Sequence, residues 1–361
     1  KDWEVLKQNV FNSDPNIRKA ENDYPINNNK SCISVANFNA VGGSTILYSG
    51  HFPRLHLTDF KTKSFDHVGK DWPIDYYDLE PFYKLNDKMM GVAGYEGDPA
   101  YPSIKNMMKP VEIGNSGKKI AKAFNKLGWH WWPSYSAIST EKKNGRSKNS
   151  RSEVNITYWP KAISNGVELR PNCRVKKITL GKNGKANGVI YFDKKNQKKF
   201  QKAKLIILAC SGIGTPRLLF NSANKIYPNG LSNSSGVLGK NLMFHPLGYV
   251  EGKFRNFLNS KSDPEGCCIA SQEFYETDKS RGFKRGYTMQ VLRSPKPVET
   301  AQYLRKLNRL SFGKNFHKQY LDHYGHTVPI AIICEDLPEL KNRVELDRSI
   351  KDTNNMPGVK I

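Results

Sequence analysis

Long apolar runs and paired cysteines are both missing from this sequence of 361 residues. No stretch approaches the ~20 apolar residues that a helix needs to cross a bilayer, and the opening "KDWEVLKQNV" matches neither a signal peptide nor a transit peptide. The six cysteines form no C-x-x-C motif, and Cys267 and Cys268 are adjacent. We therefore expect no membrane span, no disulfide scaffold and no metal site.

Acidic residues are scarce. The chain has 33 Asp and Glu against 57 Lys and Arg, a formal net charge of +24. Such an excess suits nucleic acid, an anionic membrane or an acidic partner protein. The lysines are scattered through turns ("KKNGRSKNSR", "GKNGKAN", "DKKNQKKFQKAK") and mixed with asparagine, and we recognise no basic strand interleaved with aromatics and no basic recognition helix. We interpret the charge as a solvated surface and expect no nucleic-acid partner.

Several catalytic signatures are also absent. The stretch "CSGIG" does not fit the nucleophile elbow G-x-S-x-G, because Ser211 stands in the wrong place. No G-x-G-x-x-G turn with an acidic residue at the Rossmann spacing occurs. His323 and His326 in "DHYGH" have the H-x-x-H spacing of metal ligands, but exposed histidines on a tyrosine-rich segment are the better interpretation. These absences argue against a serine hydrolase, an autonomous dinucleotide site and a metal centre.

The length predicts two or three domains, and a 38% hydrophobic fraction is enough to build real cores. One helix is predicted from Asp78 as N-cap to a stop at Gly91, with Phe82, Leu85 and Met89 on its apolar face. A second helix is predicted in "GKKIAKAFNKLGW", where apolar residues recur at Ile120, Phe124 and Leu127 before Gly128.

From residue 166 the sequence is typical of β-structure. Residues 205–209 are apolar without alternation, which predicts a strand covered on both faces of a sheet. The next residues, "SGIGTPRLLFNS", predict a tight turn and then a helix with Thr215 as N-cap and Pro216 in its first position. The N-terminus of such a helix suits a phosphate or a dinucleotide, although an ordinary turn between strand and helix explains the pattern equally well.

The stretch "VGGSTILYSGH", residues 41–51, combines glycines with small hydroxyl residues. A backbone that bare can approach a ligand closely, as a cofactor loop does. A glycine turn between two strands is the competing interpretation.

Six stretches in this order resemble the glucose-methanol-choline (GMC) family of FAD-dependent oxidoreductases, and most closely its bacterial branch of gluconate- and choline-dehydrogenase-like enzymes. They are "VGGSTILYSGHFPRL", "DWPIDYYDLEPFY", "GVELRPNCRVKKI", "LIILACSGIGTPRLLFNS", "LGKNLMFHP" and "EDLPELKNRVELD". The resemblance covers nearly the whole chain.

The resemblance implies an α/β protein, α+β overall, with a doubly wound FAD-binding domain that is incomplete here and a substrate domain of antiparallel sheet and helices. It divides the chain into residues 1–65 (FAD-binding, with the flavin loop), 66–160 (substrate or cap part), 161–245 (FAD-binding) and 246–361 (substrate-binding). Residues 42–45 are expected close to residues 209–214.

The resemblance also implies the cofactor and its contacts. In the family the glycine and hydroxyl stretch runs along the flavin, the residue matching Val175 meets the adenine edge, and the turn after the buried strand lies beside the adenosine half. The implied FAD-binding residues are Gly42, Gly43, Ser44, Thr45, Val175, Ala209, Ser211, Gly212 and Asn241, with His245 as a second polar member of "GKNLMFHP". Relatives that hold FAD covalently have a histidine where this chain has Leu47, so non-covalent FAD is implied.

Two departures from the family pattern stand out. The glycine-rich pyrophosphate turn of the family precedes the first motif found here, and the catalytic histidine lies downstream of the "NRVELD" motif. We therefore expect a fragment that lacks both ends, with the catalytic residues beyond Ile361 and no alcohol oxidation by the chain alone.

The implied reaction is the oxidation of a small-molecule alcohol, such as a sugar, a polyol or a choline-like compound, by hydride transfer to flavin. The electron acceptor, whether oxygen, a quinone or a partner protein, is left open, as is the bacterial compartment. The alternative is a non-catalytic or degenerate flavoprotein fragment that acts as a basic binding module.

Overall fold

The structure is a computed structural model that describes residues 23–33, 35, 39–141, 148–258, 266–293 and 296–361. The α-helices described are α1 (Thr62–Asp66), α2 (Tyr76–Met90), α3 (Gly114–Leu127), α4 (Val154–Ser164), α5 (Ser211–Asn221), α6 (Pro297–Lys306) and α7 (Phe316–Leu321). Short 3-10 segments occur at Gly43–Ile46, Thr58–Lys61 and Lys279–Arg281.

The strands form three sheets. They are β1 (Ile26–Asn27), β2 (Trp132–Pro133), β3 (Arg174–Leu180), β4 (Ala186–Phe192), β5 (Lys198–Lys202), β6 (Leu247–Lys253), β7 (Cys267–Ser271), β8 (Tyr287–Leu292), β9 (Thr327–Cys334), β10 (Glu345–Lys351) and β11 (Pro357–Lys360). Their orders are β1-β11-β10, β2-β7-β8-β9-β6 and β3-β4-β5. Helices mixed with antiparallel sheets confirm the predicted fold class.

The five-stranded sheet is antiparallel throughout, and α3 covers one of its faces. Alternate residues of β8 and β9 point toward the helix because side chains alternate along a strand. The core there contains Phe124 of α3 with Ile269, Val291 and Val328 of the sheet. Strand β2 pairs with β7 and so joins the segment around residue 132 to this unit.

The meander sheet β3-β4-β5 packs against α5 around a second core. Ile178 of β3 meets Leu218 and Leu219 of α5 in that core. The same helix also packs against β10 and β11 through Ile213, which contacts Val344 and Val359. Because α5 contacts both the meander and strands β10 and β11, residues 345–360 lie with the meander. Strand β1 joins the same unit through its parallel pairing with β11. The domain limits given above stay a prediction.

A buried ion network fastens β1 to this unit. Asp352 accepts hydrogen bonds from the guanidinium of Arg217 at 2.7 Å and from that of Arg174 at 3.2 Å, and Arg174 also pairs with Asp23. The centre of the Tyr24 ring lies 4.9 Å from the guanidinium carbon of Arg174 and 5.3 Å from that of Arg217. Four elements distant in sequence are therefore held by charges that are paired with one another.

The helix predicted from Asp78 begins earlier and buries another face. Asp75 is the N-cap, and Asp78 instead closes a capping box, while Gly91 ends the helix as predicted, with φ 66°. Phe82 and Leu85 are exposed. The buried side is anchored by an ion pair, in which Asp87 accepts a hydrogen bond from the guanidinium of Arg54 at 2.5 Å. A search for apolar residues at helical spacing does not detect this buried face, because one of its residues is the carboxylate Asp87.

The second predicted helix, α3, ends at Gly128 as predicted, with φ 70°. Ile120 and Phe124 contribute to the core, but Leu127 is exposed, and the helix buries Ala121 in its place.

The predicted buried strand at residues 205–209 was wrong. This segment is not a strand, and no described strand pairs with it. Ile206 and Leu208 pack against the core of the meander, whereas Leu205 and Ile207 are 78% and 81% exposed. One face is therefore covered and the other is open.

The predicted start of the following helix was also wrong. Helix α5 has Cys210 as its N-cap, so Thr215 and Pro216 lie inside the helix. Ser211 directly follows the N-cap in a left-handed conformation, with φ 65°. The turn and the helix thus overlap, which a rule that places proline in the first helical position cannot anticipate.

Candidate flavin-binding site

The glycine and hydroxyl stretch forms the 3-10 turn Gly43–Ile46. Gly42 and Gly43 both have positive φ, 97° and 57°, which glycine adopts without strain. The Thr45 hydroxyl donates a hydrogen bond to the Gly42 carbonyl at 2.6 Å. A Cβ atom on Gly43 would meet none of the described residues within 4 Å, so the backbone there is open with respect to this part of the chain. This is the local structure that a close approach by a ligand requires.

The segment at the start of α4 holds this turn in place. The backbone N–H of Val154 donates to Thr45 Oγ1 at 3.0 Å. The guanidinium of Arg151 donates to the carbonyls of Ile46, at 3.2 Å, and of Tyr48. Two separate groups therefore fix the turn to α4, and one of them is a charged donor, which forms the stronger kind of hydrogen bond.

Tyr48 returns the contact. Its hydroxyl donates to the Ser152 carbonyl at 2.5 Å, and burial raises the pKa of Tyr48 to about 12. The phenol consequently stays protonated and remains a donor at physiological pH.

Asn155 was not foreseen from the sequence. Its carboxamide lies against Gly42, 3.1 Å from where a Cβ on that glycine would be. Its Oδ1 atom is buried and has no hydrogen-bond partner among the described residues. A buried polar atom without a partner is costly, and such atoms in native structures call for a physical explanation. Asn155 ends the stretch "RSEVN", which belongs to none of the six stretches that carry the family resemblance, so nothing in the sequence gives a reason to select it.

His51, five residues beyond the turn, is a second unforeseen feature. Its Nδ1 atom lies 2.9 Å from the Ser134 hydroxyl oxygen, and burial lowers the pKa of His51 to about 4. The ring is therefore neutral at physiological pH. The neighbouring thiol of Cys267 is kept protonated, because burial raises its pKa to about 12.

The second group of predicted residues surrounds the N-terminus of α5. No side chain caps this end of the helix, and its first turn contains no acidic residue. Ala209, Ser211 and Gly212 are exposed, and a Cβ on Gly212 would meet nothing within 4 Å. The free N–H groups and the positive end of the helix dipole therefore face solvent, an arrangement that suits a polar or anionic ligand.

Val175 lies on β3, which packs against α5, so the structure brings it into the same unit as Ser211 and Gly212. Asn241, with φ 60°, lies where the motif "LGKNLMFHP" meets the "NRVELD" motif. Leu242 N–H donates to the Asn342 carbonyl at 2.9 Å, and Val344 N–H donates to the Gly239 carbonyl at 2.7 Å. His245 is exposed. Two of the six motifs are thus direct neighbours.

The predicted residues fall into two groups in the structure: residues 42–45 with α4, and Val175, Ser211 and Gly212 around α5. That these groups lie close together, as the resemblance implies, stays a prediction. The left-handed glycines, the open backbone and the uncapped helix end are compatible with an extended, partly anionic cofactor such as FAD.

A buried ionic cluster lies beside the five-stranded sheet. Arg285 is 1% exposed, and its guanidinium lies 2.6 Å from Asp59, 3.2 Å from Asp66, 3.6 Å from Glu335 and 3.8 Å from Glu276. These carboxylates come from three separate stretches of the chain. The cluster therefore fastens the 3-10 segment at residues 58–61 and α1 to the sheet, and no motif in the sequence signalled it.

Comparisons with known proteins identify the family of this chain. The profile of the GMC oxidoreductase family matches residues 24–247. The chain is 38% identical, over its whole length, to 2-methyl-1,2-propanediol dehydrogenase of Mycolicibacterium austroafricanum, and it covers 68% of that protein. It is 25% identical to the fructose dehydrogenase large subunit of Gluconobacter japonicus, over 88% of this chain and 60% of the relative.

Among solved structures, a formate oxidase of Aspergillus oryzae, studied for FAD modification, aligns over 89% of this chain and 62% of its own, with a TM-score of 0.52 at 13% identity. At that identity the likeness shows the fold alone. The chain thus spans between 60 and 68% of the length of these proteins. The family profile and the dehydrogenase at 38% identity confirm the resemblance found in the sequence: the chain belongs to the GMC oxidoreductase family, a family of flavoprotein oxidoreductases.

Proposed function

We propose that the protein containing this chain oxidises a small-molecule alcohol and uses FAD as cofactor. The observation that carries the proposal is the whole-length similarity to a dehydrogenase named for a diol, in a chain whose glycine stretch has the open, left-handed backbone described above. The fructose dehydrogenase subunit also acts, by its name, on a compound with several hydroxyl groups. A polyol or sugar is therefore the substrate class that these relatives support.

In this proposal the chain's residues position the cofactor. Gly42, Gly43, Ser44 and Thr45 offer backbone to the flavin ring and ribityl chain, held at the correct place by Arg151. FAD, when bound, supplies the acceptor for the hydride that leaves the alcohol carbon. The backbone N–H groups of this turn would stabilise negative charge on a bound flavin ring.

The adenosine half is assigned to the other group. The exposed turn of Ala209, Ser211 and Gly212 would lie beside it, and Val175 would meet the adenine edge. Asn241 would contribute a polar side chain to the FAD site from the motif "GKNLMFHP". No residue of this chain is assigned as the catalytic base.

We further propose that FAD is held without a covalent bond. Covalent relatives have a histidine at the position of Leu47, and a leucine side chain has no nitrogen that could bond the flavin. The small-molecule alcohol is the only partner assigned to the site, and the electron acceptor is left open.

The test uses the full-length gene product and two matched glycine substitutions. Gly42→Ala introduces a Cβ at φ 97° and 3.1 Å from Asn155, so it disturbs the turn both sterically and conformationally. Gly128→Ala places the same strain at a helix end, with φ 70° and no neighbour within 4 Å. We expect wild type and Gly128→Ala to purify yellow and to bleach anaerobically with a polyol, and Gly42→Ala to retain at most a tenth of the flavin.

Three results would contradict the proposal. They are a colourless wild type that gains no thermal stability from added FAD, equal flavin loss in both glycine variants, and flavin that no alcohol bleaches. The first two concern cofactor binding, and the third concerns the reaction.

A further inference from the structure

The meander sheet collects a large share of the positive charge. Residues 174–204 contain ten lysines and Arg174 against one acidic residue, Asp193, which is a net +10 of the chain's +24. The lysine-rich stretches "GKNGKAN" and "DKKNQKKFQKAK" look scattered in the sequence, but the fold makes them the turns and the edge strand of one three-stranded sheet. The fold therefore groups these surface lysines on one sheet instead of dispersing them over the molecule.

The register shows which side chains share the outer face. Ile178 pairs with Val189, and both pack inward against α5, so the residues that alternate with them point away from the helix. One row across the outer face is Lys177, Ile190 and Phe200. The neighbouring rows add Lys202 opposite Gly188 and Lys198 opposite Phe192.

Phe200 lies midway along the edge strand β5, next to Ile190 of the central strand. Its ring covers Gly188, where an added Cβ would be 2.6 Å from the ring, and the side chain is 56% exposed. On the outer face, the exposed Phe200 thus lies between Lys198 and Lys202 along β5 and shares its row with Ile190 and Lys177.

Edge protection explains only part of this arrangement. Lysines on β5 guard an open edge against pairing with another strand. Lys177 lies on β3, the other edge strand of this sheet, so the same role extends to it, but edge protection does not account for an exposed phenylalanine among the charges.

We propose that this outer face, defined as Lys177, Ile190, Lys198, Phe200 and Lys202, docks on an anionic membrane surface. Lysine is a compact, hydrated point charge that suits diffuse attraction to a layer of lipid headgroups, whereas specific phosphate or base recognition favours the forked guanidinium of arginine. A single exposed phenylalanine packed beside a glycine can enter the headgroup region, but it provides no succession of stacking platforms for a nucleic acid. The proposal does not rest on the oxidoreductase activity.

Vesicle co-sedimentation with the full-length protein tests the proposal. The vesicles are phosphatidylcholine mixed with phosphatidylglycerol, and phosphatidylcholine alone serves as the neutral comparison. The patch variant is Lys177→Gln, Lys198→Gln and Lys202→Gln, and the control is Lys118→Gln, Lys122→Gln and Lys126→Gln on the exposed side of α3, which removes the same charge.

We expect binding to anionic vesicles alone, weakened by salt because the charges are exposed. At about 1 kcal/mol per lysine, the patch variant should bind roughly 100-fold more weakly. The control variant should bind anionic vesicles less than about tenfold more weakly than wild type. Phe200→Ser should weaken binding without changing its salt dependence.

Equal losses in the patch and control variants would overturn the proposal, because they would show a response to net charge alone. So would equal binding to neutral vesicles, or no binding to either kind. A single-stranded oligonucleotide that displaces the protein from anionic vesicles at a concentration below that of the accessible lipid would assign the face to nucleic acid.

Discussion

Removing the cation at the centre of the buried ionic cluster should cost a large part of the protein's stability. Arg285→Met leaves a side chain of similar length that cannot pair with Asp59 or Asp66, both of which are within 3.2 Å of the guanidinium. Breaking a buried ion pair by removing one partner typically costs about 3–5 kcal/mol, because the remaining charge is uncompensated. Against a domain stability of roughly 5–15 kcal/mol, the loss should be easy to measure.

The same variant should acquire a characteristic pH dependence. Burial raises the pKa of Glu335, and Arg285 opposes that rise. Without the guanidinium the pKa rises further, so the folded variant binds protons more strongly than the unfolded chain. The contribution of this carboxyl group to stability is therefore fully present below its unfolded pKa and is lost as the pH rises through the raised folded value. The loss relative to wild type should be smaller at pH ~5 than at pH ~8.

Urea unfolding followed by tryptophan fluorescence measures both effects, with the midpoint expected to fall by at least about 1 M near neutral pH. Arg170→Met is the matched control, because Arg170 also pairs through two nitrogens, with Glu168, but on the surface. We expect little change there. Equal losses of stability in the two variants, or a loss in Arg285→Met that does not depend on pH, would refute the role assigned to the buried ionic cluster.

Four further outcomes are expected. Arg151→Met should weaken FAD binding about tenfold in a fluorescence titration, since it removes a charged donor from the carbonyls of Ile46 and Tyr48, and unchanged affinity would contradict that role. Leu205→Thr should change the free energy of unfolding by less than about 0.5 kcal/mol, because Leu205 is exposed. Leu208→Ala should lower the free energy of unfolding by at least about 1 kcal/mol, because Leu208 packs against the core of the meander. The reverse order would mean that the exposed side of residues 205–209 is covered in solution. The His51 pKa of about 4, below its ordinary 6.5, means that stability is lost as the pH falls between these values, and His51→Asn should flatten that slope in urea midpoints at pH ~7 and ~5. Acid precipitation should leave the flavin in the supernatant, and colour that stays with the pellet would show a covalent bond despite Leu47.

The sequence predicted the family and the fold class well, because short motifs and the residue patterns of helices and strands can be recognised within single stretches of the chain. It predicted helix ends at Gly91 and Gly128 because a left-handed glycine is a direct chemical requirement. It missed the buried face of α2, where the anchoring residue is the ion-paired Asp87 rather than an apolar one.

The parts of the site that sequence reasoning missed depend on contacts across long separations. Asn155 reaches Gly42 over more than a hundred residues, and the carboxylates around Arg285 come from three stretches of chain. The charged face of the meander was hidden for a similar reason, since β-pairing brings Lys177 and Lys202 onto one surface. The composition shows the excess of lysine, but only the strand register shows that Lys177 and Lys202 share one face of the sheet.

The central claim, that the left-handed turn at residues 42–45 lies along the flavin, is tested most directly by a crystal structure of the full-length protein with FAD. We predict that backbone atoms of Gly42, Gly43 and Thr45 lie within about 4 Å of the flavin ring or ribityl chain, the distance of van der Waals contact. We also predict that Ser211 and Gly212 lie beside the adenosine half. A flavin ring bound away from residues 42–45, with that turn still open to solvent, would contradict the account.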